Sequence, residues 1–226
     1  MNASADTPRL PTPEEARSTL IDWGQLFYQR RWCDAGSGSF SVVIQRNPLQ
    51  LLFTIPNRDK RRLQDGDFCV IDAQGQTEPS NPNLAISEAP IHGVIAEYLP
   101  HVQYIVHTQS VWSSLISESQ FPQNNLVLEG FEMLKGLSGI TNHTAKVHLK
   151  IYDNTQQIGE LTRRLRLVFP EATPALRYGF ILKRHGLFTW GKDAEEARRH
   201  LETLEYMFEL LLQRSLFFPD AAKGFV

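Results

Sequence analysis

Little in this chain of 226 residues points to a specialised protein class. Its two cysteines, Cys33 and Cys69, are too few for a disulfide framework and favour a reducing, cytoplasmic location. We expect Cys33 to be a packed thiol rather than a nucleophile. No apolar run approaches the roughly 20 residues that a membrane-spanning helix needs. The formal net charge of -2 gives no reason to expect nucleic acid or an anionic membrane as a partner.

The composition, with 42% hydrophobic and 21% charged residues, is that of an ordinary globular protein able to bury a sizeable core. We find no internal repeat or low-complexity linker, which favours one folded domain over residues 14–216. Residues 1–13 are polar and rich in proline, lack the apolar stretch of a signal peptide, and are predicted to be a disordered lead-in. Residues 217–226 are assigned to a C-terminal tail.

Helix and strand signals alternate along the chain, which indicates an α/β fold. Thr12, Pro13 and Glu15 form the pattern of a helix start, and Asp193 with Glu196 begins the final amphipathic helix. Further helices are predicted over 91–99, 126–137 and 155–168. Strands are predicted over 41–45, 51–55, 68–71 and 178–183, with another ending at His107, and residues 78–90 are interpreted as a loop.

The most informative feature is a pair of histidines, each at a point where an apolar, strand-like run becomes polar. His107 and Gln109 are two residues apart, so in a strand their side chains point to the same face. A His-x-His pair there would chelate zinc or another divalent first-row metal, whereas Gln109 offers a neutral, hard amide oxygen. His185 precedes a glycine and can project into a cleft. Spacing alone leaves open that both histidines are hydrogen-bonded structural residues.

The other five histidines are weaker candidates for metal binding. His200 is predicted to lie on the polar half of an amphipathic helix, exposed to solvent. His92 and His101 bracket a short helix, where a supporting or surface role is favoured. His143 and His148 could in principle supply the missing third imidazole, and we regard that as the weaker interpretation.

Glu132 is the most interesting acid because its sequence neighbours are apolar. In a largely buried helix its carboxyl group would have a raised pKa, as general acid–base catalysis requires. In the alternative interpretation Glu132 is an exposed residue that pairs with Lys135 three positions later. The residues themselves favour the second interpretation.

Several blocks of the sequence resemble the class II aldolase/adducin family. They are residues 127–135 (Val-Leu-Glu-Gly-Phe-Glu-Met-Leu-Lys), residues 151–154, and the long block 176–202 that contains the His185-Gly186 pair. The similarity runs from about Ala16 to Arg214, nearly the whole chain. The Gly-aromatic-Glu-Met and His-Gly-Leu-aromatic-x-Trp-Gly motifs are more similar to the dehydratases of the family than to its sugar-phosphate aldolases.

This resemblance implies one α/β domain with a central, mostly antiparallel β-sheet flanked by helices on both faces. It also implies a homotetramer with sites near the subunit interfaces, and a metal-assisted dehydration of a sugar phosphate. The family metal, usually zinc, is held by a His-Thr-His segment and by the histidine of a His-Gly segment, one ion per subunit. These positions are His107, Gln109 and His185 here, and Glu132 matches the catalytic acid/base.

The resemblance also implies a phosphate pocket, but this chain matches the family's phosphate-binding motifs only in part. The family's Gly-Asn-x-Ser turn corresponds to residues 38–41, and its Thr-x-Ser-Gly segment corresponds to residues 54–57. Pro56 removes one backbone donor from the second segment. The candidate substrate-binding residues are Gly38, Ser39, Thr54, Lys60 and Ser87.

Three functions therefore remain open at this point. The first is a metal-dependent dehydratase, in which the amide oxygen of Gln109 or a solvent molecule completes the metal site. The second is a related metal-dependent aldolase or epimerase acting on a sugar phosphate. The third is a non-catalytic member that keeps the fold for assembly or partner binding. Glu132 favours the first, whereas Gln109 and Pro56 favour the third.

Overall fold

The computed structural model describes residues 9–77, 88–120, 123–171 and 174–218. The strands form one sheet: β1 (Ser39–Arg46), β2 (Leu49–Thr54), β3 (Phe68–Asp72), β4 (Tyr104–Thr108), β5 (Asn125–Leu128), β6 (Val147–Tyr152), β7 (Gly179–Leu182) and β8 (Gly186–Gly191). Their order is β3-β2-β1-β4-β8-β7-β6-β5. Of the neighbouring pairs, β6–β7 is parallel and the others are antiparallel. The expected mostly antiparallel sheet is confirmed.

Helices cover both faces of this sheet: α1 (Pro13–Gln29), α2 (Ala89–Tyr98), α3 (Val111–Ser119), α4 (Ile158–Val168) and α5 (Ala194–Phe217). Consecutive strand residues point to opposite faces, so Val42 packs with α1 and α5 whereas Val43 packs with α2 and α4. Because both faces are buried, the central strands are apolar almost throughout. The flanking helices confirm the predicted layered architecture.

The first helix begins as its sequence predicts. The Thr12 hydroxyl accepts a hydrogen bond from the Glu15 N–H, and the Glu15 carboxylate accepts one from the Thr12 N–H. These two bonds satisfy donors that a helix start leaves unpaired. Arg9, within the predicted lead-in, also donates to Glu15 at 2.6 Å. Residues 1–8 and 219–226 lie outside the described residues.

One predicted helix, over residues 126–137, is wrong. Residues Asn125–Leu128 form β5 instead, since their side chains alternate in burial and their backbone pairs with β6. Gly130 then turns the chain at a φ of 84°, and a short 3₁₀ helix follows at Glu132–Gly136. An apolar run of this length suits a strand or a helix equally well, and pairing with β6 decides between them.

The solvent-exposed position predicted for His200 is also wrong, because the residue is 4% exposed. Its Nδ1–H donates to the Trp190 carbonyl oxygen at 2.8 Å, and its Nε2 accepts from the Ser138 N–H at 3.1 Å. Burial lowers the pKa of His200. The neutral ring therefore attaches α5 to the loop that follows the 3₁₀ helix.

Strand direction separates the two ends of the sheet. β4, β7 and β6 run one way, whereas β8 and β5 run the other way. The carboxyl end of β4 therefore meets the β7–β8 turn at one end, and β5 terminates at the opposite end. None of the described helices combines the length and apolar character that crossing a bilayer requires.

Candidate metal and substrate site

Four side chains meet where β4 ends beside the β7–β8 turn. His107 belongs to β4, Gln109 follows it by two residues, and His185 occupies the turn. Glu88 directly precedes α2 on the neighbouring side. The antiparallel pairing of β4 with β8 brings the two histidines together, with their ring centroids 4.9 Å apart. The sequence-predicted trio is thus assembled, and Glu88 is added to it.

The ligand atoms fit a divalent metal ion. Glu88 Oε1 lies 3.5 Å from His107 Nε2 and 3.4 Å from His185 Nε2. One ligand atom from each of the three residues falls within 4.8 Å of the other two. Ligand atoms around tetrahedral zinc with bonds of roughly 2.0–2.2 Å are about 3.3–3.6 Å apart, and two histidines with one glutamate form a known catalytic zinc set. The described residues can therefore hold such an ion.

Both histidines direct Nε2 toward this position. His107 Nδ1 lies 3.0 Å from the Leu187 carbonyl oxygen, and His185 Nδ1 lies 3.3 Å from Asn154 Oδ1. Each oxygen acceptor holds a proton on Nδ1, so Nε2 is the ring nitrogen that can release its proton and bind a metal. The His107 ring also stacks on Phe188 with centroids 4.1 Å apart. Hydrogen bonding and stacking fix the direction of the ligand atoms.

The fourth member of the cluster is Gln109, which contributes a side-chain amide group. Its Nε2 lies 2.9 Å from His185 Nε2 and 3.3 Å from His107 Nε2. A half-turn of the amide would exchange Nε2 for Oε1 and offer an oxygen at the same corner. The side chain thus occupies the predicted third position, where its amide oxygen is a weaker zinc ligand than an imidazole.

Glu88 is held in its ionised form by its surroundings. Burial alone would raise its pKa, but the charge of His107 and hydrogen bonds with His107, His185 and Ser39 hold the pKa well below its usual range. Ser39 Oγ donates to Glu88 Oε2 at 2.7 Å. A carboxylate ready to bind a cation therefore faces both histidines at neutral pH.

His92 supports this arrangement from behind, as the sequence favoured. Its ring nitrogens lie 3.1 Å from Ser39 Oγ and 2.8 Å from Ser41 Oγ. Burial lowers the pKa of His92 to about 3, so the ring stays neutral. A neutral histidine can fix both serine hydroxyls without adding positive charge beside the metal position.

A cavity of about 260 Å³ opens beside the cluster. Its lining includes Glu88 and Gln109, and also the predicted substrate-binding residues Gly38, Ser39 and Thr54. Gly38 has a φ of 75°, and a Cβ there would lie 2.7 Å from the His107 carbonyl oxygen. Only glycine suits this conformation and this close approach. Three of the five predicted residues therefore share the cavity with the metal position.

The other two predicted substrate-binding residues do not line it. The Lys60 side chain is fully buried and donates to the Gly36 carbonyl oxygen at 2.9 Å and the Arg58 carbonyl oxygen at 3.3 Å. Burial lowers the pKa of Lys60. Its ammonium group joins the loop before β1 to the loop after β2 and does not line the cavity. Ser87 lies outside the described residues.

Glu132 is not brought to the histidines of its own chain. It follows β5, which lies four strands from β4, or roughly 19 Å at the usual spacing, and ends at the opposite end of the sheet. Its side chain is 67% exposed, pairs with Lys135, and lies 3.0 Å from His143 Nδ1. The hydrogen bond with Lys135 lowers the pKa of Glu132. The exposed interpretation of this residue is confirmed.

Glu88 is the member of the candidate metal cluster that the sequence reasoning missed. It stands in the segment 78–90, which was interpreted as a loop, although α2 begins at Ala89. The available signal was a carboxylate at the end of a polar segment, directly before an apolar helix with proline in its first turn. Its partners are about 20 and 100 residues away along the chain, so spacing could not reveal them. Cys33, by contrast, is the packed thiol expected, and burial raises its pKa to about 12.

The sheet, the two-sided helical cover and the Glu-His-His cluster define the class of protein. Residues 18–212 match the family model described as the class II aldolase and adducin N-terminal domain. The chain belongs to the class II aldolase and adducin family.

The chain is also similar to individual curated proteins. The chain is 37% identical over 205 residues to the methylthioribulose-1-phosphate dehydratase of Serratia proteamaculans, covering 91% of this chain and 98% of that one. It is 38% identical over 205 residues to the protein of the same name from Pectobacterium atrosepticum, covering 91% and 97%. These relatives are matched over nearly their whole length.

Solved structures support the fold independently. YgbL from Klebsiella pneumoniae superposes with a TM-score of 0.73 at 18% identity, covering 90% of this chain and 91% of that one. L-fuculose-1-phosphate aldolase from Thermus thermophilus superposes with a TM-score of 0.69 at 20% identity, covering 91% and 98%. At these identities the likeness extends to the fold alone.

Proposed function

We propose that this protein is a metal-dependent hydro-lyase that converts 5-methylthioribulose 1-phosphate into 2,3-diketo-5-methylthiopentyl 1-phosphate and water. The convergence of Glu88, His107 and His185 beside a polar cavity carries the proposal. The substrate is taken from the names of two relatives whose match covers 91% of this chain. The chain would work in the cytoplasm, in keeping with its two free cysteines.

The metal would be zinc or another divalent first-row ion, one per chain. His107, His185 and Glu88 would hold it, with the Gln109 amide at the fourth corner. When bound, the ion would polarise the C2 ketone of the substrate and stabilise the negative charge that develops when the C3 proton leaves. Stacking on Phe188 and the Nδ1 hydrogen bonds keep both histidines in position for this ion.

The phosphate group would bind in the cavity next to the metal position. Ala35, Gly36 and Gly38 have positive φ, a geometry in which successive backbone N–H groups can converge on an anion. Ser37 adds a hydroxyl group to the same cavity, whereas the hydroxyl proton of Ser39 is donated to Glu88, so Ser39 would contribute its backbone. Because Lys60 points elsewhere, the contacts to phosphate would come mainly from backbone and hydroxyl donors.

Glu132 would act as the acid/base that helps the C4 hydroxyl leave as water. The distance within one chain requires that it come from a neighbouring copy. An exposed carboxylate at the far edge of the sheet is available for that role, and burial against a second copy would raise its pKa toward the working range of a general acid. We therefore propose a homo-oligomer, a tetramer by family resemblance, in which each site combines two chains.

The decisive experiment compares the native chain with Gln109→His and with Gln123→His, a control at an exposed glutamine away from the cluster. We expect the native chain and the control to bind about one divalent ion per chain and to form the diketone from methylthioribulose 1-phosphate. Gln109→His should bind zinc about 10-fold more tightly, because an imidazole replaces a neutral amide. Metal content and diketone are the measurements.

The alternatives predict other results. Carbon–carbon bond cleavage or epimerisation in place of dehydration would identify an aldolase or epimerase. A native chain that binds no divalent metal and forms no product would support the non-catalytic interpretation. A gain of both properties in Gln109→His alone would mean that the natural site has lost its activity through Gln109.

A further inference from the structure

A buried acid lies directly behind the metal site. Glu205 belongs to α5 and is 1% exposed. Each of its oxygens meets a hydroxyl: Thr108 Oγ1 donates to Oε1 at 2.9 Å, and Ser110 Oγ donates to Oε2 at 2.6 Å. No cation contributes to its electrostatic environment in the described part of the chain. A buried carboxylate without a counter-ion is unfavourable, so an apolar residue would serve packing alone better.

The two hydroxyls belong to the residues on either side of Gln109. Alternate residues of an extended chain point to opposite faces. Thr108 and Ser110 therefore face α5, whereas His107 and Gln109 face the metal position. A single carboxylate thus holds the backbone from behind at both neighbours of the weakest member of the cluster.

Apart from the contacts of the Gln109 amide with the two histidines, the hydrogen bonds of this segment do not set the direction of the Gln109 side chain. The Gln109 N–H donates to the Trp32 carbonyl oxygen at 2.8 Å, which fixes the position of the backbone and not the direction of the side chain. Ser110 Oγ also accepts from the Ser113 N–H at 2.9 Å, so the same hydroxyl caps α3 and contacts Glu205. His107, by contrast, has its own anchor at Leu187. The direction of the Gln109 side chain therefore depends on the backbone held by Thr108 and Ser110.

We propose that Glu205 is a positioning residue of the metal site: through Thr108 and Ser110 it fixes the backbone around Gln109 and so aims the Gln109 amide at His107 and His185. The proposal rests on the proposed function in taking the cluster to hold a metal ion. Both oxygens of an ionised carboxylate accept hydrogen bonds, so the two contacts from Thr108 and Ser110 match the ionised form of Glu205. A side chain with only one acceptor oxygen cannot reproduce them.

The first test uses metal-free protein. In the ¹⁵N-labelled chain, the side-chain amide signals of Gln109 are assigned through their loss in Gln109→Glu. We expect resolved signals in the native chain and movement toward the positions of exposed glutamines in Glu205→Gln, which keeps the size of the side chain but changes one acceptor into a donor. Unchanged Gln109 signals in Glu205→Gln would overturn the proposal.

The second test titrates Co²⁺ and follows its visible absorption. Glu205→Gln should raise the Kd for Co²⁺ about 10-fold, the lower range for loss of a partner that orients a metal ligand, and should alter the spectrum. Leu201→Ala, a truncation in the same helix, removes an apolar side chain that can make no hydrogen bond to this segment. It should lower the Tm and leave the Kd and spectrum unchanged. A Glu205→Gln chain that behaves like Leu201→Ala would show a purely structural role.

Two variants of Thr108, one of the two hydroxyl partners of Glu205, test the proposal if Glu205→Gln does not fold. Thr108→Val removes the hydroxyl at nearly constant shape and should raise the Kd, whereas Thr108→Ser keeps the hydroxyl and should not. Equal Kd values in the pair would contradict the proposal. A native chain that binds no Co²⁺ would refute the metal site itself, and the metal-free amide signals would still decide whether Glu205 aims Gln109.

Discussion

The two ends of the sheet hold their acidic residues in opposite ways. Glu88 is 17% exposed and is enclosed by two histidines and a serine hydroxyl, all of which are fixed by further hydrogen bonds. Glu132, at the other end, is 67% exposed and has only Lys135 and His143 as partners. One end is organised within a single chain, whereas the other presents its carboxylate to the surroundings.

Under the proposed function, one chain would carry two parts of a site that do not meet within it, and this difference suits the role of each part. The metal position needs ligands held within tenths of an ångström, which the strand pairing and buried contacts of one domain provide. An acid/base needs only to arrive beside the substrate. It can be supplied by a second copy when the chains assemble.

The largest expected effect comes from breaking the organised end. His107→Ala should abolish stoichiometric metal binding and lower dehydratase activity at least about 1,000-fold, because the metal contributes several kcal/mol and each ~1.4 kcal/mol is tenfold. His101→Ala, at an exposed histidine, is the control and should retain both. Full metal content in His107→Ala would refute the assignment.

A mixing experiment tests whether the two ends cooperate between chains. Glu132→Gln should keep its metal and lose about 100-fold in activity, the usual contribution of a general acid/base. Co-refolding this inactive variant with inactive His107→Ala should restore about a quarter of native activity, since a quarter of randomly paired sites would receive both intact parts in a closed oligomer. Mixed oligomers without recovered activity would exclude action between chains.

The last prediction concerns the pH dependence of the free energy of unfolding, to which buried Glu205 should contribute and exposed Glu132 should not. Burial raises the pKa of Glu205 from 4.5 to about 7. Between these values the folded chain keeps a proton that the unfolded chain releases, so the stabilisation is complete below about pH 4.5 and is lost as the pH rises to 7, by about 3 kcal/mol at most. Urea unfolding near pH 5 and near pH 7.5 measures it.

Glu205→Gln is the reference for that measurement, because it removes the titrating group and should lose less stability over the same interval. Glu132→Gln should follow the native chain, since it leaves Glu205 intact. An identical pH dependence in the native chain and in Glu205→Gln would contradict the raised pKa.

Local signals in the sequence predicted much of this molecule. The capping pattern at Thr12, the spacing of His107 and Gln109, and the histidine before Gly186 each depend on residues a few positions apart. Their outcomes follow from the geometry of one helix or strand. The family resemblance extended these local signals to the layered fold.

Contacts between distant segments could not be predicted in the same way. Glu88 joins the histidines only because α2 packs beside β1 and β4, and Lys60 turns away from the cavity because backbone carbonyls capture its ammonium group. The same applies to Glu132, whose separation from His107 is set by the order and direction of strands. The identity of the residues at positions 107 and 132 does not predict the distance between them.

Gly186 has a consequence for anyone who would redesign the centre. A Cβ at this position would lie 2.0 Å from the Thr108 carbonyl oxygen and 2.9 Å from His107 Cε1. A side chain at Gly186, next to His185, would therefore displace β4, whereas Gln109 lines the cavity and can be exchanged. A library aimed at changing the proposed metal site should therefore vary residue 109 and keep the glycine constant.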